Sequence, residues 1–188
     1  LQRDLISKYG IDCDYTPGHM ILGLKRRHDQ NLREELDTLA SRYDYHSLRL
    51  VGRDELRSII ASERYTSALF DSNGGHLHPY RYTLGLGRAA AQAGATLFED
   101  SWLTRLEVAQ HPGADNLAHT AGGTVRARHL LVAGGALLGR LVPSLASKLM
   151  DIGTYIAVTQ PLGEERVRSL IANNAAAASL NIDGDDPA

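Results

Sequence analysis

The sequence predicts a mixed α/β fold, because segments with helical periodicity and segments rich in strand-forming residues alternate along its 188 residues. The clearest helix is expected over 79–93, where a proline opens an apolar-periodic run and Gly94 closes it. Short apolar segments stand on both sides of this helix, and glycine pairs follow two of them. This order is typical of sheets layered with helices and argues against a plain bundle or barrel.

Secondary structure is expected to alternate through the first sixty residues. Helices are predicted over 1–9, 29–43 and 52–60. Strands are predicted over 11–15, 19–24 and 48–51. The first two strands are expected to form a hairpin around the turn at Pro17-Gly18. Leu32, Leu36 and Leu39 share one face of the second helix, which indicates that this face is buried.

The same alternation is expected to continue through the rest of the chain. Strands are predicted over 65–70, 96–99, 101–109, 117–121, 124–128, 129–133 and 152–159. A short helix is predicted over 136–141, after the longer one already described. The strand containing Leu130-Leu131-Val132 is expected to be buried. The tail from Ala172 is rich in alanine and asparagine and then acidic, so we expect it to be irregular.

Composition indicates a globular protein without a polyanionic partner. Hydrophobic residues make up 43% of the chain and the net charge is -2, which gives no electrostatic case for binding nucleic acid or a membrane surface. No apolar run approaches the roughly 20 residues that a membrane-spanning helix requires. The single cysteine, Cys13, cannot form an internal disulfide and predicts a reducing, cytoplasmic location. Its thiol is either buried and structural or reactive, and no neighbouring motif favours reactivity.

A glycine pair, two histidines and a proline precede the longest predicted helix, over Gly74-Gly75-His76-Leu77-His78-Pro79. We expect a tight loop that feeds the helix and lets the backbone approach a ligand. His76 and His78 face the same side if this segment is extended, so they either line a ligand site or pack structurally. Two imidazoles without a third ligand are weak evidence for a metal.

Other candidate residues have both a functional and a structural interpretation. Ala133 and Gly134 end the predicted buried strand, which is where α/β folds place ligands. Glu99 and Asp100 are either an acid–base pair or a solvated strand end. Four tyrosines either bind an amine by cation–π contact or pack in the core: Tyr15, Tyr80, Tyr82 and Tyr155. No single residue is identified as catalytic.

Five motifs, in order and at matching spacing, make the chain resemble the FAD-dependent amine and amino-acid oxidases of the D-amino-acid oxidase and sarcosine oxidase type. The motifs are Tyr9-Gly10-Ile11-Asp12-Cys13-Asp14-Tyr15, Gly74-Gly75-His76-Leu77-His78-Pro79, Phe98-Glu99-Asp100-Ser101, Leu131-Val132-Ala133-Gly134-Gly135 and Val158-Thr159-Gln160-Pro161-Leu162. Within that superfamily the likeness is greatest to the enzymes that act on gamma-glutamylputrescine.

The resemblance implies part of a two-domain flavoprotein oxidase fold, with the substrate domain interleaved with the FAD-binding domain. The implied boundaries are 11–70 and 151–171 for the substrate domain, 71–143 for part of the FAD-binding domain, and 172–188 for an irregular tail. It further implies FAD as cofactor and a small-molecule amine or amino acid as substrate. A C–N bond would be oxidised by hydride transfer to the flavin, with hydrolysis of the imine and formation of peroxide.

The resemblance also implies roles for particular residues. FAD would be held by Gly74, Gly75, His76, Leu103, Ala133 and Gly134. Leu103 would contribute through its backbone beside the adenine, and its side chain is expected to pack in the core. His78 and Tyr80 would bind the substrate.

Two features leave alternatives open. The chain begins at Leu1, without methionine, inside a predicted helix, and it carries no strand-associated Gly-x-Gly-x-x-Gly phosphate loop. We therefore expect a fragment of a longer protein, which as an isolated piece is either inactive and flavin-free or able to bind the cofactor. A sarcosine- or glycine-oxidase-like enzyme is the alternative to one acting on a gamma-glutamylated amine.

Overall fold

A computed structural model of the chain describes residues 1–111, 113–135, 138–150, 152–153 and 155–179. These residues divide into two compact units. The first unit contains residues 1–94 together with those from 159 onward, and the second contains residues 95–158.

Helices and strands alternate as expected for a mixed α/β chain. The helices are α1 (Gln2–Tyr9), α2 (Arg26–Tyr43), α3 (Arg53–Ile59), α4 (Pro79–Gln92), α5 (Leu138–Leu141), α6 (Pro143–Ala146) and α7 (Glu164–Leu170). The strands are β1 (Thr16–Gly23), β2 (Leu48–Val51), β3 (Ser67–His76), β4 (Leu103–Glu107), β5 (Asn116–Thr120), β6 (Gly123–Ala127) and β7 (Ala176–Ser179). No helix in the described ranges is long and apolar enough to cross a membrane.

The first unit is built on a four-stranded sheet in the order β2-β3-β1-β7. Strand β3 is antiparallel to both β1 and β2, whereas β7 runs parallel to β1. Alternate side chains of the central strands, Met20 and Leu22 of β1 and Ala68 of β3, enter a core with residues from α3. Helix α2 packs on the same three strands β1, β2 and β3 and buries Leu32 completely. The sheet is therefore covered by helices, which makes it a rigid base for the segments at its ends.

The predicted hairpin at Pro17-Gly18 is wrong. Residues 11–15 form no strand, and the two turn residues lie inside β1. Gly18 has a φ of +99° at a bulge in the pairing of β1 with β3, and its backbone packs against Phe70 and Ala175. The apolar pattern of β1 is satisfied by β3, which follows more than 40 residues later, and not by a neighbouring strand.

The predicted helices over 29–43 and 79–93 are confirmed as α2 and α4. Irregular structure was predicted from Ala172 onward, but Ala176–Ser179 forms strand β7 beside β1. Alanine has little intrinsic strand propensity, so here the free edge of β1 determines the conformation. Residues 180–188 of the predicted tail lie outside the described residues. The expected domain boundary between residues 70 and 71 falls within β3, and the division into substrate and FAD-binding domains stays a prediction.

The second unit is built on an antiparallel meander, β4-β5-β6, which matches the strands predicted over 101–109, 117–121 and 124–128. The side chain of Asn116 connects the strand ends at one edge of this meander. The Asn116 side-chain oxygen accepts a hydrogen bond from the amide of Ala109 at 3.1 Å, and its Nδ2 donates to the carbonyls of Ala127 at 3.1 Å and Arg128 at 2.9 Å. One side chain therefore links the ends of β4, β5 and β6.

The strands predicted over 96–99, 129–133 and 152–159 are wrong for the residues that the structure describes. None of these segments forms a strand, and their described apolar side chains are exposed, except that of Val132, which is half-buried. Leu131, which was expected to be buried, is 92% exposed, and Tyr155 is 99% exposed. An apolar segment becomes a strand only when it pairs with a neighbour, and none of these segments pairs with a strand in the described part of the second unit.

Candidate functional site

The junction between β3 and α4 brings together five of the residues predicted to form a site. Gly74 and Gly75, expected in a tight loop, instead continue β3, and neither has a positive φ. His76 ends the strand opposite Thr16. The prediction of a turn at the glycine pair is therefore wrong, although the predicted helix does begin at Pro79.

Glycine is required at this junction because the neighbouring strand leaves no room for a side chain. A Cβ atom on Gly74 would stand 2.8 Å from the Cβ of His19. A Cβ on Gly75 would stand 2.6 Å from the carbonyl oxygen of Thr16 and 2.8 Å from the hydroxyl of Tyr15. Because these distances are well inside van der Waals contact, any larger residue would push β1 and β3 apart. A close approach to a ligand at the same glycines stays a prediction.

The side chains of His76, His78 and Tyr80 are all open to solvent, and Tyr80 is 66% exposed. The backbone of His78 is fixed: its amide donates to the carbonyl of Cys13 at 2.7 Å, and its carbonyl accepts from the amide of Tyr82 at 3.0 Å. The exposure of Tyr80 is not in accord with core packing among the described residues. The junction thus presents two imidazoles and a phenol from a fixed backbone, which suits them to contact a ligand.

Asp71 organises the end of β3, a role that the sequence analysis missed. Its carboxylate accepts hydrogen bonds at 2.8 Å from both Tyr45 Oη and Ser47 Oγ, and at 2.9 Å from the amide of Asn73. Partial burial raises the pKa of Asp71, but the hydrogen bonds from Tyr45, Ser47 and the amides of Asn73 and Gly74 lower it by more, so that this pKa lies below its ordinary value. The signal in the sequence was Asp-Ser-Asn-Gly, a composition typical of side chains that bind nearby backbone amides.

In the second unit, a groove of about 630 Å³ collects Leu103, Ala133 and Gly134, three of the predicted FAD-binding residues. Its walls are largely apolar, and among the described residues that line it Arg140 contributes a guanidinium. The sequence analysis missed Trp102, which lines the same groove. Its position directly before Leu103 was the available signal.

The groove fits the ring portions of FAD. Its volume lies within the range of small-molecule sites, roughly 300–1,000 Å³, and apolar walls suit a flat aromatic ring. A Cβ on Gly134 would stand 3.0 Å from Cδ2 of Leu138, so the absence of a side chain keeps this wall open. Arg140 can pair with a phosphate. Binding of FAD here by the backbone of Leu103, Ala133 and Gly134 stays a prediction.

The remaining candidates do not gather into a site. Glu99 and Asp100 are exposed, in accord with the solvated alternative. Cys13 is only 1% exposed, in accord with a structural thiol. Within the described ranges, no group of three or more histidine, cysteine, aspartate or glutamate side chains is placed to hold a metal ion.

Known proteins resemble this chain over most of its length. It is 36% identical over 180 residues to gamma-glutamylputrescine oxidoreductase of Escherichia coli strain K12, an alignment that covers 95% of this chain and 41% of the relative. It is 32% identical over 155 residues to the probable oxidoreductase OrdL of Rhizobium meliloti strain 1021, covering 82% of this chain and 36% of the relative. The chain therefore spans about two fifths of the length of these relatives.

Solved structures share the fold at lower identity. Glycine oxidase from Geobacillus kaustophilus superposes with a TM-score of 0.62 at 21% identity, over 77% of this chain and 39% of that one. L-amino acid deaminase from Proteus myxofaciens superposes with a TM-score of 0.65 at 21% identity, over 78% of this chain and 34% of that one. The predicted partial flavoprotein oxidase fold is thereby confirmed.

The family model of the FAD-dependent oxidoreductases known as DAO matches residues 1–185. This match confirms the predicted family and, with it, FAD as the family's cofactor. Both the length of the match and the identity to curated relatives lead to one conclusion: this chain belongs to the DAO family of FAD-dependent oxidoreductases.

Proposed function

We propose that the protein carrying this chain oxidises a C–N bond of a small-molecule amine or amino acid, and that its substrate resembles gamma-glutamylputrescine. The observation that carries this proposal is the 36% identity to gamma-glutamylputrescine oxidoreductase across 95% of the chain. A cytoplasmic location, with a role in putrescine catabolism, belongs to the same proposal. The single buried cysteine supports a reducing compartment.

FAD, when bound, supplies the acceptor for a hydride equivalent. The substrate would lose a hydride from carbon and a proton from nitrogen to become an imine, and water would hydrolyse the imine to a carbonyl compound and an amine. Molecular oxygen takes up the two electrons with two protons and leaves as hydrogen peroxide. Because this chemistry does not demand a protein base, the chain's own residues serve to bind and orient.

The exposed side chains at the β3–α4 junction provide the means of binding an amine. A neutral imidazole of His78 can accept a hydrogen bond from an ammonium group, and the ring of Tyr80 can take the same group by cation–π contact. His76 and the glycine pair before it are proposed to face the cofactor. In the second unit, the groove around Leu103 is proposed to hold part of FAD.

The test uses the protein expressed from the complete reading frame that carries this chain. Peroxide release would be measured with gamma-glutamylputrescine, putrescine, sarcosine, glycine and a D-amino acid. We expect visible flavin absorbance and the highest kcat/KM with gamma-glutamylputrescine. A higher kcat/KM with sarcosine or glycine would favour the alternative, a sarcosine- or glycine-oxidase-like enzyme. Purification of the complete protein without flavin would overturn the proposal.

A second measurement tests whether this chain binds FAD without the rest of the protein. The 188-residue chain would be purified alone and titrated with FAD. The absence of flavin absorbance after gel filtration, together with flavin in the complete protein, would show that cofactor binding needs residues beyond these. Flavin retained by the chain alone would exclude the flavin-free alternative.

A further inference from the structure

We propose that Asp71 is a positioning residue: its carboxylate fixes the backbone at the end of β3 and so sets the placement of His76, His78 and Tyr80. The inference rests on the proposed function, in which the last two of these side chains bind the amine. Asp71 itself is separated from them along the chain and acts through the segment between.

The Asp71 carboxylate accepts several hydrogen bonds. They link two pieces of chain: the loop after α2, through Tyr45 and Ser47, and the backbone of β3, through the amide of Asn73. The amide and hydroxyl of Ser72 add to this link, since both donate to the carbonyl of Ser47 at 3.1 Å. The end of β3 therefore stays docked on the α2–β2 loop.

The glycine pair needs such a link more than other strand residues would. Glycine loses more conformational freedom on folding than any other residue, so Gly74 and Gly75 weaken the strand that they continue. Contacts hold this segment from the other side too: Tyr15 Oη donates to the carbonyl of Gly74 at 3.3 Å, and Arg3 pairs with the side chain of Asn73. Asp71 provides the carboxylate among these contacts.

The end of β3, fixed in this way, leads directly into the proposed site. His76 ends β3, and the amide of His78 is bonded to the carbonyl of Cys13 before α4 begins. A shift of Asn73 and Gly74 would pass along this short connection to both histidines. Misplacement of binding groups by about 1 Å can reduce catalysis on the order of a hundredfold.

The direct test is hydrogen–deuterium exchange on the complete flavin-loaded protein, comparing Asp71→Asn and Asp71→Ala with the parent. We expect faster exchange at residues 73–80 in both variants and little change in α2 and β1. Asp29→Asn is the matched control, because the Asp29 carboxylate also accepts hydroxyl hydrogen bonds at β3, but at the opposite end of the strand. The donors are Thr66 Oγ1, at 2.9 Å, and Ser67 Oγ. Unchanged exchange at 73–80 in Asp71→Ala would overturn the proposal.

The kinetic test separates positioning from general stability. For Asp71→Asn we expect the KM for the amine to rise about tenfold while kcat changes less, because ground-state placement of the substrate is lost. Asp29→Asn should leave both constants near parental values. If Asp71→Asn and Asp29→Asn change KM and kcat equally, Asp71 has only a structural role. If Asp71→Ala fails to fold, Asp71→Asn decides. If no amine is oxidised at all, the proposed function fails, while the exchange experiment still decides the positioning role.

Discussion

Gly85 of α4 lies directly against Ile11, so closely that a Cβ on the glycine would overlap Cγ2 of the isoleucine and stand 3.0 Å from its Cγ1. Ile11 is only 7% exposed at this contact. The helix and the segment after α1 can meet at this distance only because residue 85 has no side chain. The contact explains a glycine in mid-helix, where it would otherwise cost about 1 kcal/mol relative to alanine.

Gly85→Ala should therefore destabilise the first unit despite the better helix propensity of alanine. Overpacking of a close contact costs about 1–3 kcal/mol, which outweighs the propensity gain in most of that range. Urea unfolding followed by circular dichroism measures the change in free energy of unfolding. Gly52→Ala is the control, because Gly52 has a φ of -75° and a Cβ there would meet nothing within 4 Å. A Gly85→Ala variant more stable than the parent would contradict the close contact.

The role of the glycine pair at the β3–α4 junction could not be decided from the sequence alone. A glycine signals either a positive φ or a lack of space, and the sequence alone does not distinguish them. The predicted turn at Gly74-Gly75 assumed a positive φ, whereas the lack of space is imposed by Thr16 of β1 and by Tyr15 just before that strand. By contrast, α4 could be predicted because its signals are local: a proline at its start, an apolar period, and Gly94 after its end.

Long-range pairing accounts for the other differences. Ala176–Ser179 has no local strand signal and becomes β7 only because β1 offers it an edge. Residues 129–133 have a strong local signal but no ladder in the described part of the chain. The groove in the second unit was partly predicted: the family motif indicated Ala133 and Gly134, but nothing local placed Trp102 or Arg140 beside them.

Asn116→Ala should destabilise the second unit, because one amide side chain there serves three backbone groups. Its loss leaves the amide of Ala109 and two carbonyls without this partner, at a cost of about 1–3 kcal/mol where they stay shielded from water. Gln110→Ala is the control, since the exposed side chain of Gln110 makes a single bond to the carbonyl of Val108 at 3.0 Å. Thermal unfolding measures both. Equal melting temperatures for the two variants would contradict a stabilising role for the three hydrogen bonds of Asn116.

The stability that Asp71 contributes should depend on pH in a defined direction. Its folded-state pKa lies below the ordinary value of 3.8, so the contribution is fully present above that value and is lost as pH falls through the folded pKa. The difference in unfolding free energy between the parent and Asp71→Asn should be constant near neutral pH and shrink only below 3.8. Tyr45→Phe removes one bond that lowers this pKa, so in that variant the pH-dependent loss should be smaller and should be complete at a higher pH. If the difference in unfolding free energy between the parent and Asp71→Asn grows as the pH falls, the pKa of Asp71 is raised by folding and not lowered, which would refute this prediction.

Gly134→Ala should weaken FAD binding more than it weakens the fold. The added methyl would stand 3.0 Å from the end of the Leu138 side chain, which can rotate, so the cost to stability is small. It would nevertheless narrow the groove in which the cofactor rings are proposed to lie, and we expect the Kd for FAD to rise about tenfold, or about 1.4 kcal/mol. Gly122→Ala is the control in the same unit, because a Cβ there meets only Thr120 Oγ1 at 4.0 Å. Flavin fluorescence titration of the complete apoprotein measures both variants. An unchanged Kd in Gly134→Ala, with a normal melting temperature, would place the cofactor outside this groove.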